Sequence, residues 1–197
     1  MLECVPFFIL MNMKSYVLLL QLFLPVVLIF SCQKITKEDA ELPERRFILD
    51  VMLDESLSLI GEESYIKAIG LLDSAKVLAE RGRDTLSLAS VLNNLGLSHY
   101  YLGKYDSSIF FYDKALNLNE KFGDSLKIRD NLLNLGISHN KRGEYRTALS
   151  FYLEALNMAE AQGDSSLIAS VNNSIGNTLN SLKRYDDSFH YFKNAEN

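Results

Sequence analysis

Residues 93–96 read Asn-Asn-Leu-Gly, residues 133–136 read Leu-Asn-Leu-Gly, and residues 173–176 read Asn-Ser-Ile-Gly. The spacing is 40 residues each time, and the chain that follows keeps the same beat. Gly-Lys-Tyr at 103–105 is answered by Gly-Glu-Tyr at 143–145, and Tyr112-x-x-Ala115-Leu116 by Tyr152-x-x-Ala155-Leu156. Both copies run on to Gly-Asp, at 123–124 and 163–164. A period of this length marks a stack of similar supersecondary units, each with an apolar face that only its neighbour covers.

Inside each unit the apolar residues fall at helical spacing, and no segment alternates long enough to be a strand. Asp84 is placed to cap a helix from about Thr85 to Tyr101. Gly103 ends that helix, and another follows from about Tyr105 to Lys121. The same turn-plus-cap logic returns at Gly123-Asp124, Gly143-Glu144, Gly163-Asp164 and, more weakly, Leu182-Lys183. The expected organisation is four hairpins, at 45–80, 84–121, 124–161 and 164–197, with a degenerate first unit and a short last helix.

Three columns of small residues explain the period. Gly96, Gly136 and Gly176 each sit inside a helix, where glycine costs about 1 kcal/mol against alanine. Their recurrence predicts that a ring or a backbone comes too near for a β-carbon. Ala115, Ala155 and Ala195 are expected where hairpins cross, with Tyr112, Tyr152 and Phe192 filling the gap between units. Ala68, Ser108, Ala148 and Ser188 form the third column.

These residues resemble the tetratricopeptide repeat family, in its variant of about 40 residues. The pattern is carried by Leu95-Gly96, Gly103-x-Tyr105, Ser108, Tyr112 and Ala115, then by Leu135-Gly136, Gly143-x-Tyr145, Ala148, Tyr152 and Ala155. It returns as Ile175-Gly176, Tyr185, Ser188, Phe192 and Ala195. The first unit keeps Tyr65, Ala68, Leu72 and Ala75 but has Ser56 in place of the glycine. The family's usual first-helix aromatic is His99, His139 and Leu179 here, and its usual inter-repeat proline is missing. The resemblance implies an all-α, right-handed solenoid of antiparallel helical hairpins over about 45–197, with inner helices lining a concave groove. It further implies a non-catalytic module that binds protein or an extended peptide.

Carried onto this chain, the groove positions include Asn93, Asn94, Tyr100, Tyr101, Asn134, Asn140, Lys141, Asn173 and Asn177. A carboxamide both donates and accepts, so a row of them suits the backbone of an extended peptide. Asparagine is a mediocre helix former, so its crowding in inner helices calls for a reason. Inter-helix hydrogen bonding or simple solvation is the structural alternative.

The array follows a leader. Residues 16–30 (YVLLLQLFLPVVLIF) are too short and interrupted for a confident span but suit the apolar core of a secretory signal. Met13-Lys14 offers a start with a positive first residue. The run ends Ser31-Cys32 and turns polar at once, which resembles a lipoprotein signal whose Cys32 becomes lipidated. Acyl chains there would hold the domain at a bilayer. An uncleaved anchor and an ordinary cleaved signal are the alternatives. Gln33 rather than aspartate follows the cysteine, and 33–44 (QKITKEDAELPE) is polar enough to serve as a flexible tether. The whole resembles a Bacteroidetes lipoprotein, expected at the outer membrane facing the periplasm. The sensor portion of a truncated signalling regulator, of the histidine-kinase or helix-turn-helix type, is the alternative.

Composition excludes other classes. The formal charge is −5, with acids and bases interspersed, which argues against direct contact with nucleic acid. Both cysteines, Cys4 and Cys32, lie in the leader, so no disulfide framework is expected in the array. His99 and His139 occupy matching faces, but no cysteine or His-x-x-x-His pair joins them, and no metal or other cofactor is expected. No nucleophile–base constellation or phosphate loop is present, so no enzyme activity is expected.

Overall fold

The computed structural model describes residues 37–196, with side chains from residue 44 onward. The leader, Cys32 and the first part of the predicted tether lie outside the described residues. Eight helices are described: α1 (Lys37–Gly61), α2 (Tyr65–Arg81), α3 (Thr85–Tyr101), α4 (Tyr105–Phe122), α5 (Ser125–Lys141), α6 (Tyr145–Gln162), α7 (Ser165–Ser181) and α8 (Tyr185–Ala195). No strand occurs among the described residues. The architecture is an all-α solenoid of antiparallel hairpins, α1–α2, α3–α4, α5–α6 and α7–α8. From α2 onward each helix packs on the next in sequence, and α5 also touches α7.

Two expectations are corrected at helix starts. α1 begins at Lys37, so the 37–44 part of the predicted tether is helical. Its Lys, Glu, Ala and Leu are good helix formers, and extending a helix that is already packed is far easier than nucleating one. Polarity alone was the wrong criterion there. The second correction concerns Glu144. The carboxylates of Asp84, Asp124 and Asp164 do accept from Ser87 N, Lys127 N and Leu167 N, at 3.0, 3.2 and 3.1 Å. Glu144 makes no such bond. His139 and Arg142 take its carboxylate instead. The helix after each intra-hairpin turn starts directly from a tight bend, with Gly103 at φ +70° and Gly143 at φ +88°. Lys183 takes the same left-handed conformation at φ +60°, which only a glycine adopts without steric cost.

The glycine column has a geometric cause. A β-carbon on Gly96 would stand 2.7 Å from Tyr112 Cδ1, one on Gly136 2.5 Å from Tyr152 Cε1, and one on Gly176 2.6 Å from Phe192 Cε1. In these three hairpins the inner helix therefore lies directly against the aromatic of its own outer helix. Tyr112 and Tyr152 are both only 2% exposed, and burial pushes both phenols above the ordinary tyrosine range. In the first hairpin Ser56 and Leu72 fill the same columns, both fully buried. Ala115 and Ala155 are fully buried as well, while Ala195 and Phe192 on α8 are half-buried. The apolar core runs between hairpins as three overlapping clusters, centred on Leu72 with Leu95, Tyr112 with Leu135, and Tyr152 with Ile175.

Candidate functional site

The carboxamides expected in the groove fall into two groups. Those of α3 and α5 are tied into the structure. Ser56 Oγ donates to the Leu53 carbonyl at 2.7 Å. Asn94 Nδ2 donates to Ser56 Oγ at 3.3 Å, and Asn93 Nδ2 to Asn94 Oδ1 at 3.5 Å. Asn93 Oδ1 accepts from Asn131 Nδ2 at 3.0 Å and from Asn134 Nδ2 at 3.4 Å. Asn131 Oδ1 accepts from Asn119 Nδ2 at 2.6 Å. One chain of amides thus links α1, α3, α5 and the outer helix α4. Asn140 donates across to Thr178 on α7. For these residues inter-helix bonding is the observed use, and Asn94 is buried.

Asn173 and Asn177 on α7 form the other group. Both are exposed, as is Asn180 one turn on, and their side chains make no hydrogen bond within the described residues. The spacing of 173, 177 and 180 puts all three on one helical face. Lys141 is exposed too. Tyr101 stacks on Tyr65 with ring centroids 5.2 Å apart, and Tyr100 meets it edge-on at 5.5 Å. This aromatic group lies at the turn end of α3, next to Tyr105.

Between α1, α3 and α5 lies a cavity of about 300 Å³. Leu53 and Leu57 line one side, Ala89, Ser90, Asn93 and Asn94 the next, and Asn119, Lys127, Asp130 and Asn131 close it. Asn119 and Asn131 were not singled out from the sequence. Neither was Arg129, which is buried and reaches Asp164 at 2.9 Å, Gln162 at 2.6 Å and Asp130 at 3.0 Å. A signal for all three exists in the repeat itself. Asn119 stands where Ala79 and Ala159 stand, Asn131 where Val91 and Val171 stand, and Arg129 where Ala89 and Ala169 stand. A polar residue that breaks an apolar column is the mark to look for.

Each of the two histidines stacks on a phenylalanine of its own outer helix. His99 stacks on Phe111 at 5.2 Å and His139 on Phe151 at 5.3 Å. His139 Nδ1 bonds Glu144 at 2.6 Å, whereas His99 Nδ1 is buried without a partner. Burial, helped by Lys104, holds His99 below the usual histidine range. Among the described residues no group of three or more His, Cys, Asp or Glu is placed to hold a metal. No described helix is long and apolar enough to cross a membrane. Phe110 is exposed beneath Lys114, whose Nζ sits 4.3 Å from the ring centroid, while Phe111 and Phe151 lie half-buried under the histidines.

The solenoid is similar to several solved structures. BtubC (BKLC) from P. vanneervenii superposes with a TM-score of 0.68 at 20% identity, over 83% of this chain and 71% of that one. A signal transduction ATPase with numerous domains, carrying a tetratricopeptide repeat sensor, from Pyrococcus horikoshii gives 0.71 at 24% identity, over 77% of this chain and 24% of that one. Aspartyl phosphate phosphatase F from Bacillus subtilis gives 0.70 at 14% identity, over 94% and 56%. At these identities the likeness speaks for the fold alone. No curated protein matches the sequence. The tetratricopeptide repeat profile matches residues 87–161 and 127–197, together more than half of the chain. With the glycine–aromatic columns and the hairpin stack, this match shows that the chain belongs to the tetratricopeptide repeat family.

Proposed function

We propose that this protein is a non-catalytic, peptide- or protein-binding scaffold of the bacterial cell envelope, held at the outer membrane through a lipidated Cys32 and facing the periplasm. The observation that carries the binding role is the exposed face of α7. Asn173, Asn177 and Asn180 present donors and acceptors that no part of the described chain uses, which is what backbone recognition of an extended peptide requires. The lipid anchor rests on the Ser31-Cys32 step at the end of the apolar leader.

Crosslinking pull-down from native membranes tests the groove. N173A/N177A/N180A is expected to lose the bound partner while keeping wild-type helicity, and an unchanged partner set rejects the assignment. C32S is expected to move the protein out of the membrane fraction. Its continued retention there rejects lipid anchoring.

A second reading, the sensor portion of a larger signalling regulator, draws on α8. Phe189 is 72% exposed, although Ile109 and Leu149 in the same column are half-buried and pack into the core clusters. A further helix laid on α8 would cover it. The reading frame downstream of residue 197 discriminates: an open frame into a membrane helix and output domain supports the regulator, and an immediate stop codon rejects it.

A further inference from the structure

We propose that the cavity between α1, α3 and α5 is a subsite selective for a primary carboxamide, such as the side chain of a glutamine in a bound peptide. The peptide form of this proposal rests on the scaffold function above. Three observations converge on it. The chain of amides has a direction. Its far end is the Leu53 carbonyl, which can only accept, so Ser56 must donate to it. Every link behind then points the same way: Asn94 to Ser56, Asn93 to Asn94, Asn131 to Asn93, and Asn119 to Asn131. The open end is therefore an acceptor, Asn119 Oδ1, and it is the group that the chain leaves without a partner. A buried acceptor without a donor is costly, and a ligand that supplies one recovers that cost.

The second observation is the break in the repeat. The flanking junctions use Ala79 with Val91 and Ala159 with Val171, all essentially unexposed. Only the middle junction carries Asn119 with Asn131, and that is where the cavity lies. The third is the lining. Leu53 and Leu57 offer an apolar wall for a short aliphatic stem. Lys127 is held only loosely, with Nζ 3.9 Å from Asp124, so it is free to donate to a carbonyl oxygen. Asp130 is already paired with Arg129 at 3.0 Å. A neutral amide satisfies both ends, giving its N–H to Asn119 Oδ1 and accepting from Lys127. A cation meets Lys127, and a carboxylate has nothing to give to Asn119. Asn119 itself lines the cavity, so a ligand seated there meets the residue whose carbonyl oxygen lacks a donor.

The test compares the full-length protein with N119A/N131V, a variant that copies the chain's own flanking junctions and so preserves packing. One arm measures binding to paired peptides that differ only by Gln, Met or Glu at each position. The other follows the side-chain amide resonances of Asn119 and Asn131 on adding propionamide or propionate. Wild type is expected to prefer Gln over Met by about tenfold, the value of one good hydrogen bond. N119A/N131V should lose that preference but keep its affinity for the Met peptide. Propionamide, and not propionate, should shift the wild-type resonances. A propionamide response without Gln preference assigns the subsite to a free amide. Equal Gln and Met binding with no propionamide response overturns the subsite and leaves the scaffold standing. If no peptide binds wild type, the scaffold reading falls and the propionamide arm alone decides the subsite.

Discussion

Gly136→Ala and Gly70→Ala are the same chemical change inside two helices, and the structure assigns them opposite signs. Replacing a mid-helix glycine by alanine stabilises by about 1 kcal/mol through backbone entropy. Gly70, in α2, has nothing within 4 Å of an added β-carbon, so that gain stands alone. At Gly136 the new carbon would sit 2.5 and 2.6 Å from two carbons of the Tyr152 ring. Ordinary carbon contact is about 3.5–4.0 Å, and a ring that is 2% exposed has nowhere to retreat. Overpacking of this kind costs about 1–3 kcal/mol. An overlap of a full ångström belongs at the upper end, leaving G136A destabilised by about 2 kcal/mol after the propensity gain. Urea unfolding followed by circular dichroism reads both variants. The first hairpin suggests the rescue, because it fills these columns with Ser56 and Leu72. In a double-mutant cycle, G136A/Y152L should be less destabilised than the sum of its singles by at least about 1 kcal/mol. Shifts of the same sign and size for G70A and G136A, or strict additivity in the cycle, would refute the account of the glycine column.

Other outcomes follow from particular contacts. D84A is expected to lower stability by about 1 kcal/mol, the usual worth of an N-cap, because its carboxylate also accepts from Ser87 Oγ at 2.8 Å; equal urea midpoints for D84A and wild type would reject this. N119A/N131V is expected to be at least as stable as wild type, since it removes an unpartnered buried acceptor; a clear drop in midpoint would mean that the amide chain holds the junction together. His99 titrates below its unfolded value because of burial and Lys104. Its neutral form favours the fold, so that contribution is complete above about pH 6.5 and is lost as pH falls through the depressed folded value. H99L, the residue found at 59 and 179, should flatten the acid limb of the stability–pH curve; an unchanged acid limb in that variant counts against the assignment.

The repeat made the hairpins readable, because each unit must present the same small residues wherever a ring presses on a helix. Helix α3 matches its predicted bounds of Thr85 to Tyr101, and the three aspartate caps are where Asp84, Asp124 and Asp164 placed them. Two local readings failed because polarity and propensity compete. Residues 37–44 are polar yet helical, and Glu144 prefers His139 and Arg142 to the backbone it was expected to cap. Much of the candidate site was not legible either. Asparagines at 93, 94, 134, 173 and 177 look alike in sequence, but the first three spend their hydrogen bonds on neighbouring helices and the last two do not.

The sequence by itself determined the period, the helix type and the columns, because these follow from spacing and from the steric size of single residues. Only the tertiary structure decided which polar groups remain available. That depends on which donors and acceptors meet between residues 12 to 41 positions apart, such as Asn119 with Asn131 or Asn93 with Asn134, and no local pattern encodes such a meeting.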